Sequence, residues 1–236
     1  ILHKAYTLAR DSGDPPLTAQ VRNRLDDIFI IDILSMNLND CETWEKMISE
    51  HISVAQRPAR YHDLAVTLGQ IGDKAEVNSR YKLAVQAYSL GYKLNQRSTI
   101  RPRFSAILKT KLEQAEQRVE RKTEFQDASE QLKHDPDDPD ANFKAGRYLA
   151  LTRGHFPAAF PYLRRGSDES LKNLARLEQA LPVNSAEMEL LGNTWRDYAL
   201  SSAEPLDQAL SVRQSADWYR HAFQEEVSTL KKLRIQ

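Results

Sequence analysis

The stretch DPDDPDANFKAGRYLALTRGHFPAAFPYLRRGSDESL, residues 135–171, opens with four aspartates in six residues. A calcium loop of the EF-hand type needs oxygen ligands at its positions 1, 3 and 5, a glycine at position 6 and a glutamate at position 12. Asp138, Asp140 and Asn142 meet the first requirement, but Phe143 stands at position 6 and Leu149 at position 12. The aspartates therefore do not complete a calcium site of this type.

The same residues meet every requirement of a helix start. Asp138 can accept a hydrogen bond from a free N–H group, and Pro139 follows at the first helical position, where no N–H is missed. Asp140 adds negative charge against the helix dipole in the first turn. The sequence therefore predicts a helix that begins at Pro139.

Two helix-turn-helix units follow this start. In the first unit, Gly146 allows close helix packing, Gly154 marks a turn and Phe156 opens the next helix. In the second unit, Gly192 and Trp195 repeat the first-helix pattern 46 residues further on. This order of small and aromatic residues resembles the tetratricopeptide repeat (TPR).

A closer resemblance covers nearly the whole chain. The motifs DPDDPDANFKAGRYL, GSDESLKNLA, LLGNTWRDYA and ADWYRHAF, with the upstream ARDSGD and FIIDIL, resemble a family of uncharacterised helical regions within large, multidomain planctomycete bacterial proteins. Where that family has Asp in LGDxWW, this chain has Asn193, and Thr194 and Trp195 replace most of the aromatic pair. The resemblance implies a TPR-like scaffold segment with no known activity.

The composition predicts helix almost everywhere, because only 8 glycines occur in 236 residues and period-2 strands are hard to find. The apolar run from Ile28 to Leu34 is assigned to a helix or a helix end, and the Gly72-Asp73 pair is assigned to a break. Helices are predicted before the breaker at residues 12–16, from about Thr18 through Val21, Leu25 and Ile28, and over 41–56, 58–71, 74–94, 102–134, 139–153, 156–165, 168–181, 185–200 and 206–233.

The predicted fold class is all-α, with TPR-like antiparallel hairpins stacked as an α-solenoid and one long helix over 102–134. Leu108, Leu112, Ala115 and Val119 form a coiled-coil-type seam on this helix, which then slips out of phase. The short seam favours a hairpin arm over a dimeric coiled coil. We predict an N-terminal part at 1–134 and a C-terminal part at 135–236, joined in one continuous solenoid.

Charge and hydropathy exclude two partner classes. The 33 Lys and Arg residues equal the 33 Asp and Glu residues, which argues against a protein that holds nucleic acid through phosphate neutralisation. No apolar run reaches the ~20 residues that a membrane-spanning helix requires, so no membrane insertion is predicted. The single cysteine, Cys41, has no second cysteine to pair with and is interpreted as a buried, unreactive thiol.

No catalytic, metal or cofactor site is predicted, and no cofactor is expected. The six histidines are scattered, and metalloprotease, phosphate-loop, dinucleotide and serine-hydrolase motifs are missing from the sequence. One basic cluster, formed by Arg97, Arg101, Arg103 and Lys109, is a candidate contact for an acidic peptide tail or a phosphate, although an exposed helix–helix corner is the favoured interpretation.

Three aromatic residues, Trp195, Trp218 and Tyr219, could line a ligand groove, but their helical spacing favours core packing. Together with Asp138, Pro139, Gly146, Gly154, Phe156 and Gly192, they are predicted to be structural.

The predicted function is a non-catalytic module for protein–protein interaction or scaffolding within a larger protein. Its partner is a protein, a peptide or another domain of the same chain. The alternative is an accessory or regulatory domain attached to an enzyme or carbohydrate-binding domain outside this stretch. A homo-oligomer through the 102–134 arm is not favoured. The first residues resemble the end of a helix, which suggests a piece of a longer protein and leaves the compartment open.

Overall fold

The computed structural model describes residues 2–26, 32–98 and 100–233. These residues form helices and no strand, so the predicted all-α class is confirmed. In the described ranges the helices are α1 (Leu2–Asp11), α2 (Pro15–Asp26), α3 (Ile33–His51), α4 (Arg57–Val77), α5 (Tyr81–Ser98), α6 (Pro102–His134), α7 (Pro139–Leu151), α8 (Phe156–Leu163), α9 (Glu169–Gln179), α10 (Ser185–Ser201) and α11 (Pro205–Leu233).

Side-chain caps explain where several helices begin. Asp138 Oδ1 accepts from Ala141 N at 2.7 Å, which satisfies one of the free N–H groups of α7. Asp168 caps α9 in the same way at 2.8 Å, and Asn184 caps α10 at 2.9 Å. The predicted ends of α6 to α11 agree with the structure within two residues.

Two predicted helix starts were wrong because aspartate side chains cap these helices earlier in the chain. α3 begins at Ile33 rather than at Cys41, since Asp32 caps it by accepting from Ser35 N at 3.1 Å, and it ends at His51 rather than at residue 56. α2 begins at Pro15, since Asp14 accepts from Leu17 N at 2.9 Å. Residues 27–31, which include Ile28 and most of the apolar run, lie outside the described residues.

The predicted break at Gly72-Asp73 was also wrong, because α4 continues through both residues. Gly72 faces the ring of Tyr88 so closely that a Cβ would overlap it, and the Tyr88 hydroxyl donates to Asp73 Oδ1 at 2.6 Å. This glycine therefore allows α5 to approach α4. The break falls at Ser79, whose φ of 57° is left-handed.

The chain divides into two compact units, Ile1–Glu116 and Gln117–Gln236, and the division lies inside α6. The sequence placed its boundary at residue 134, the end of that helix. The second half of α6 packs within the second unit: the rings of Phe125 and Tyr148 are stacked with centroids 4.6 Å apart. Arg121 Nη1 also lies 2.6 Å from Asp207 Oδ1.

In the first unit, α1 packs on α2 and α3, α3 packs on α4, and α4 packs on α5. Its core includes Leu68, Tyr88 and Leu94, and Leu108 and Ala115 of the predicted seam join it from α6. Burying these side chains supplies roughly 25 cal/mol per Å² of apolar surface removed from water. The core thus holds α3 and α4 side by side, which positions the site described below.

In the second unit, α7 packs on α8, and α8 to α11 pack in succession with α11 returning to α7. Gly146 faces Leu163, and an added Cβ would lie 2.7 Å from Leu163 Cγ. Asp207, which is buried, joins three helices through Arg121 of α6 and Arg147 of α7, whose Nη2 lies 2.6 Å from Asp207 Oδ2.

Candidate functional site

The first unit contains a groove of about 810 Å³ between α2, α3 and α4. We call it the α3–α4 groove. Its volume lies within the range of roughly 300–1,000 Å³ that is usual for ligand sites. Asn37, Cys41, Trp44, Ile48 and His51 of α3 line it at intervals of three and four residues, so a continuous face of that helix forms the floor.

Two hydrogen bonds define the direction of the helices along the groove. Arg57 Nε at the start of α4 donates to Ile52 O just beyond the end of α3, at 2.9 Å. Arg80 Nη2 beyond the end of α4 donates to Ser35 Oγ at the start of α3, at 3.0 Å. The two helices are therefore antiparallel. Asn37 and Lys74 lie at one end of the groove, the Lys74 end, and His51 and Arg60 lie at the other, the Arg60 end.

The middle of the groove is apolar. Trp44, Met47 and Ile48 of α3 line it together with Leu64 and Ile71 of α4. Trp44 and Ile48 pack against the buried cluster of the unit, to which Leu64 and Ile71 belong as almost fully buried side chains. The floor is therefore rigidly supported and offers apolar surface to an occupant.

The turn between α1 and α2 closes one side of the groove. Gly13 has a φ of +70°, and an ideal Cβ there would lie 2.6 Å from Met47 Cε. Glycine suits this turn for both reasons, since other residues would be strained and would push on the floor. The turn places Asp14 towards the Arg60 end of the groove.

A buried polar group holds α2 beside α3. Asp40 is fully buried, accepts from the Tyr6 hydroxyl and lies 3.1 Å from Arg22 Nη1 through its Oδ2. Burial raises the pKa of the Asp40 carboxyl, and the bonds from Tyr6 and Arg22 oppose that rise. Burial and the bond to Asp40 also raise the pKa of Tyr6 above its ordinary value. The charge of Arg22 is therefore already matched by Asp40.

Cys41 lies in the floor of the groove and is fully buried. Burial, followed by the nearby Asp40 carboxylate, raises the pKa of its thiol to about 12. The thiolate is the nucleophilic form of cysteine, so Cys41 is a poor nucleophile at neutral pH.

The α4 wall carries a polar row formed by Arg60, Asp63, Thr67, Gln70 and Lys74. In the part of the chain that the structure describes, the side chains of Arg60, Asp63, Gln70 and Lys74 have no hydrogen bond or ion pair, and neither has Asn37 on α3. Such a row offers donors and acceptors that water satisfies in the free protein and that a bound molecule can use.

The two ends of the groove differ in charge. At the Lys74 end, the lining residues Asn37, Gln70 and Lys74 include one cation and no acid. At the Arg60 end, Asp14 and Asp63 supply two carboxylates against the single guanidinium of Arg60. The groove is therefore positive at one end and negative at the other.

The predicted basic cluster lies elsewhere, on α5 and the start of α6. Arg97 Nη1 is 2.7 Å from Glu45 Oε1, and its guanidinium lies over the ring of Tyr61. Lys109 Nζ is 3.8 Å from Glu113 Oε1. Arg101 and Arg103 are exposed. Half of the four basic residues are thus matched by an acid.

The predicted aromatic residues lie in the second unit. Trp195 is 0% exposed and its ring meets Phe156 edge to face with centroids 5.4 Å apart, so it forms part of the core. Its Nε1 and that of Trp218 each donate to Glu178 Oε1 at 2.7 Å. Tyr219 covers Gly192 and donates to Asn193 Oδ1 at 2.7 Å.

The remaining predicted structural residues lie at the start of α7 and in the turn after it. Pro139 follows the Asp138 cap at the start of α7, and Gly154 has a left-handed φ of +66° in the turn before α8. Asn142, the third oxygen residue of the rejected calcium pattern, is buried and donates to Pro136 O at 2.9 Å.

Over residues 2–26, 32–98 and 100–233, no group of three or more His, Cys, Asp or Glu side chains could hold a metal ion. None of the described helices is long and apolar enough to cross a membrane.

The groove was missed in the sequence. The predicted start of α3 at Cys41 excludes Asn37 from the helix. The predicted end of α4 at Ile71 separates Gln70 from Lys74 by a break. One signal was available: the spacing of Cys41, Trp44, Ile48 and His51 indicates one helical face that combines apolar and polar groups.

Comparison with known proteins finds no matching family model, no matching curated protein and no matching solved structure. The resemblance to planctomycete helical regions therefore stays a prediction from the motifs.

Proposed function

We propose that this chain is a non-catalytic interaction module that binds a segment of a partner protein, or of another domain of the same chain, in the α3–α4 groove. The observation that carries this proposal is the combination of an apolar floor with unmatched polar side chains on the α4 wall. Apolar surface supplies binding free energy, while a few placed polar groups supply orientation.

We further propose that the helix pairs act as TPR-like hairpins that stack within each unit. The packing of α4 on α5, of α7 on α8 and of α10 on α11 supports this proposal. So does the close approach at Gly72 and Gly146, where small residues let paired helices meet. Stacked helix pairs expose grooves between neighbours, which suits extended binding surfaces.

Buried donors around the groove support a ligand that carries acceptors. Arg22 Nε and Trp44 Nε1 are buried and have no acceptor within the described part of the chain, and both residues line the groove. Buried N–H groups are usually paired. The carbonyl oxygens of a peptide supply acceptors for these two N–H groups, once the indole or guanidinium rotates towards them.

A selection from displayed random peptides tests this function. The full chain is used as bait, with two matched variants: Gln70→Trp fills the groove wall, and Gln86→Trp alters an exposed glutamine on α5 outside the groove. We expect peptides that bind the wild-type chain and Gln86→Trp but are lost on Gln70→Trp. A selection without binders, or binders retained by Gln70→Trp, would contradict the proposal.

A further inference from the structure

We infer that the groove selects an extended segment with opposite charges at its two ends: an acidic side chain at the Lys74 end, a basic side chain at the Arg60 end, and apolar residues between them. This inference rests on the proposed function and adds the chemistry of the partner. It follows from the length of the α4 row, the charges at its ends and the apolar floor.

The length of the groove defines the length of the segment. The row from Arg60 to Lys74 covers fourteen helical steps on α4. At 1.5 Å per residue this is about 21 Å. An extended chain rises by about 3.3 Å per residue, so roughly six or seven residues cover the row.

The Lys74 end suits a carboxylate. Lys74 has no acidic partner in the described residues, and the amides of Asn37 and Gln70 can donate to the same oxygen atoms. Arg22 is nearby but is matched by Asp40, so Lys74 carries the net charge of this end. A basic side chain here would meet an ammonium group and no acid from the groove lining.

The Arg60 end suits a cation. Asp63 is exposed and has no ion pair in the described part of the chain. Asp14 caps α2 with one carboxylate oxygen, and its second oxygen is available to a ligand. His51 is already beside Glu50, with Nε2 3.7 Å from Glu50 Oε2. Two carboxylates against the one guanidinium of Arg60 leave a net negative charge.

The middle of the groove accounts for the apolar residues of the segment. In an extended chain, alternate side chains point to the same face, so two apolar side chains between the charged ends can lie on Trp44 and Ile48. A nucleic acid does not suit this site, because regularly spaced phosphates would meet the carboxylates of Asp14 and Asp63.

The test uses four seven-residue peptides, acetylated and amidated, with the shared centre Thr-Leu-Thr-Leu-Thr. Their first and last residues are Glu and Lys, Glu and Glu, Lys and Lys, or Gln and Gln. Binding to the full chain is followed by the indole N–H resonance of Trp44, which lines the groove, with Trp195 and Trp218 as internal references hydrogen-bonded to Glu178. The Trp44→Phe variant assigns the resonance.

We expect the Glu/Lys peptide to bind most tightly, with a gain over the Gln/Gln peptide of about 1.4- to five-fold for each exposed ion pair formed. The preference should weaken as salt is raised, because the pairs are open to solvent.

A charge reversal in the protein then tests the assignment of the ends. In Lys74→Glu, the Lys/Lys peptide should overtake the Glu/Lys peptide. The control Lys93→Glu, which reverses an exposed lysine on α5 outside the groove, should keep the wild-type order.

Equal binding of all four peptides with a shift of Trp44 would overturn this inference and leave the proposed function standing. An oligothymidylate that shifts Trp44 at lower concentration than any peptide would overturn this inference and the proposed function together. If no peptide shifts the Trp44 resonance and the peptide selection yields no binders, both proposals are rejected.

Discussion

Removal of the Glu178 carboxylate should destabilise the second unit. Its Oε1 accepts from Trp195 Nε1 and Trp218 Nε1 at 2.7 Å and from Gln214 Nε2 at 3.0 Å. Trp195 is fully buried, so its N–H cannot form a hydrogen bond with water when the Glu178 acceptor is removed. Trp218 and Gln214 are only half-buried and can reach solvent.

The expected cost follows from these environments. In Glu178→Ala the unpaired indole of Trp195 costs roughly 1–3 kcal/mol, while the two half-buried donors add little. The deleted methylene adds about 0.8 kcal/mol. Relief from burying a carboxylate offsets part of this, so we expect a loss of about 2–3 kcal/mol in the free energy of unfolding. Glu178→Gln keeps an acceptor oxygen and should lose only about 1 kcal/mol.

Urea unfolding followed by tryptophan fluorescence measures both values, in a Trp44→Phe background so that only the second unit reports. Glu189→Ala, at an exposed position of α10, serves as the control and should be neutral. The reasoning is refuted if Glu178→Ala falls within 0.5 kcal/mol of the parent, or if Glu178→Gln costs as much as Glu178→Ala.

Three further outcomes are expected. Gly146→Val should lower the free energy of unfolding by about 1–3 kcal/mol or more, because the added side chain overpacks against Leu163. Unchanged thermal melting would show that α7 and α8 are not in close contact. The pKa of Asp40 is raised in the folded state, so the folded protein keeps the proton on this carboxyl above pH 3.8, where the unfolded chain releases it. The free energy of unfolding therefore falls as pH rises from 3.8 through the pKa of the folded state. Asp40→Asn should remove that part of the pH dependence in urea titrations, and identical pH profiles would contradict the assignment. Added calcium should leave the melting temperature unchanged, because Asp138 caps α7, and a clear rise at micromolar calcium would contradict the capping interpretation.

The sequence predicts helix ends well where the signal is local. Pro102 and Pro139 stand at first helical positions, and Asp138 caps the chain three residues ahead of its N–H partner, so each signal can be recognised within a few residues. The same local reasoning fails at Gly72, which usually indicates a break. Glycine is needed at position 72 because the ring of Tyr88 on the next helix packs directly against it. This contact joins residues sixteen positions apart.

The groove could not be predicted from the sequence for a related reason. Asn37, Gln70 and Lys74 belong to two helices, and only the antiparallel alignment of α3 and α4 brings them to one end. Their lack of partners is also a tertiary property, since the sequence contains many acids that could have paired with Lys74. By contrast, the burial of Trp195 agrees with its spacing from Leu191, because both belong to one helical face.

Photo-cross-linking tests the groove as the binding surface most directly. A benzophenone amino acid is placed at Gln70 in one sample and at Gln86 in another, and each is irradiated with a peptide taken from the selection. Mass spectrometry should find the peptide attached to position 70 and not to position 86. Equal attachment at both positions, or attachment at position 86 alone, would show that the α3–α4 groove is not where the partner binds.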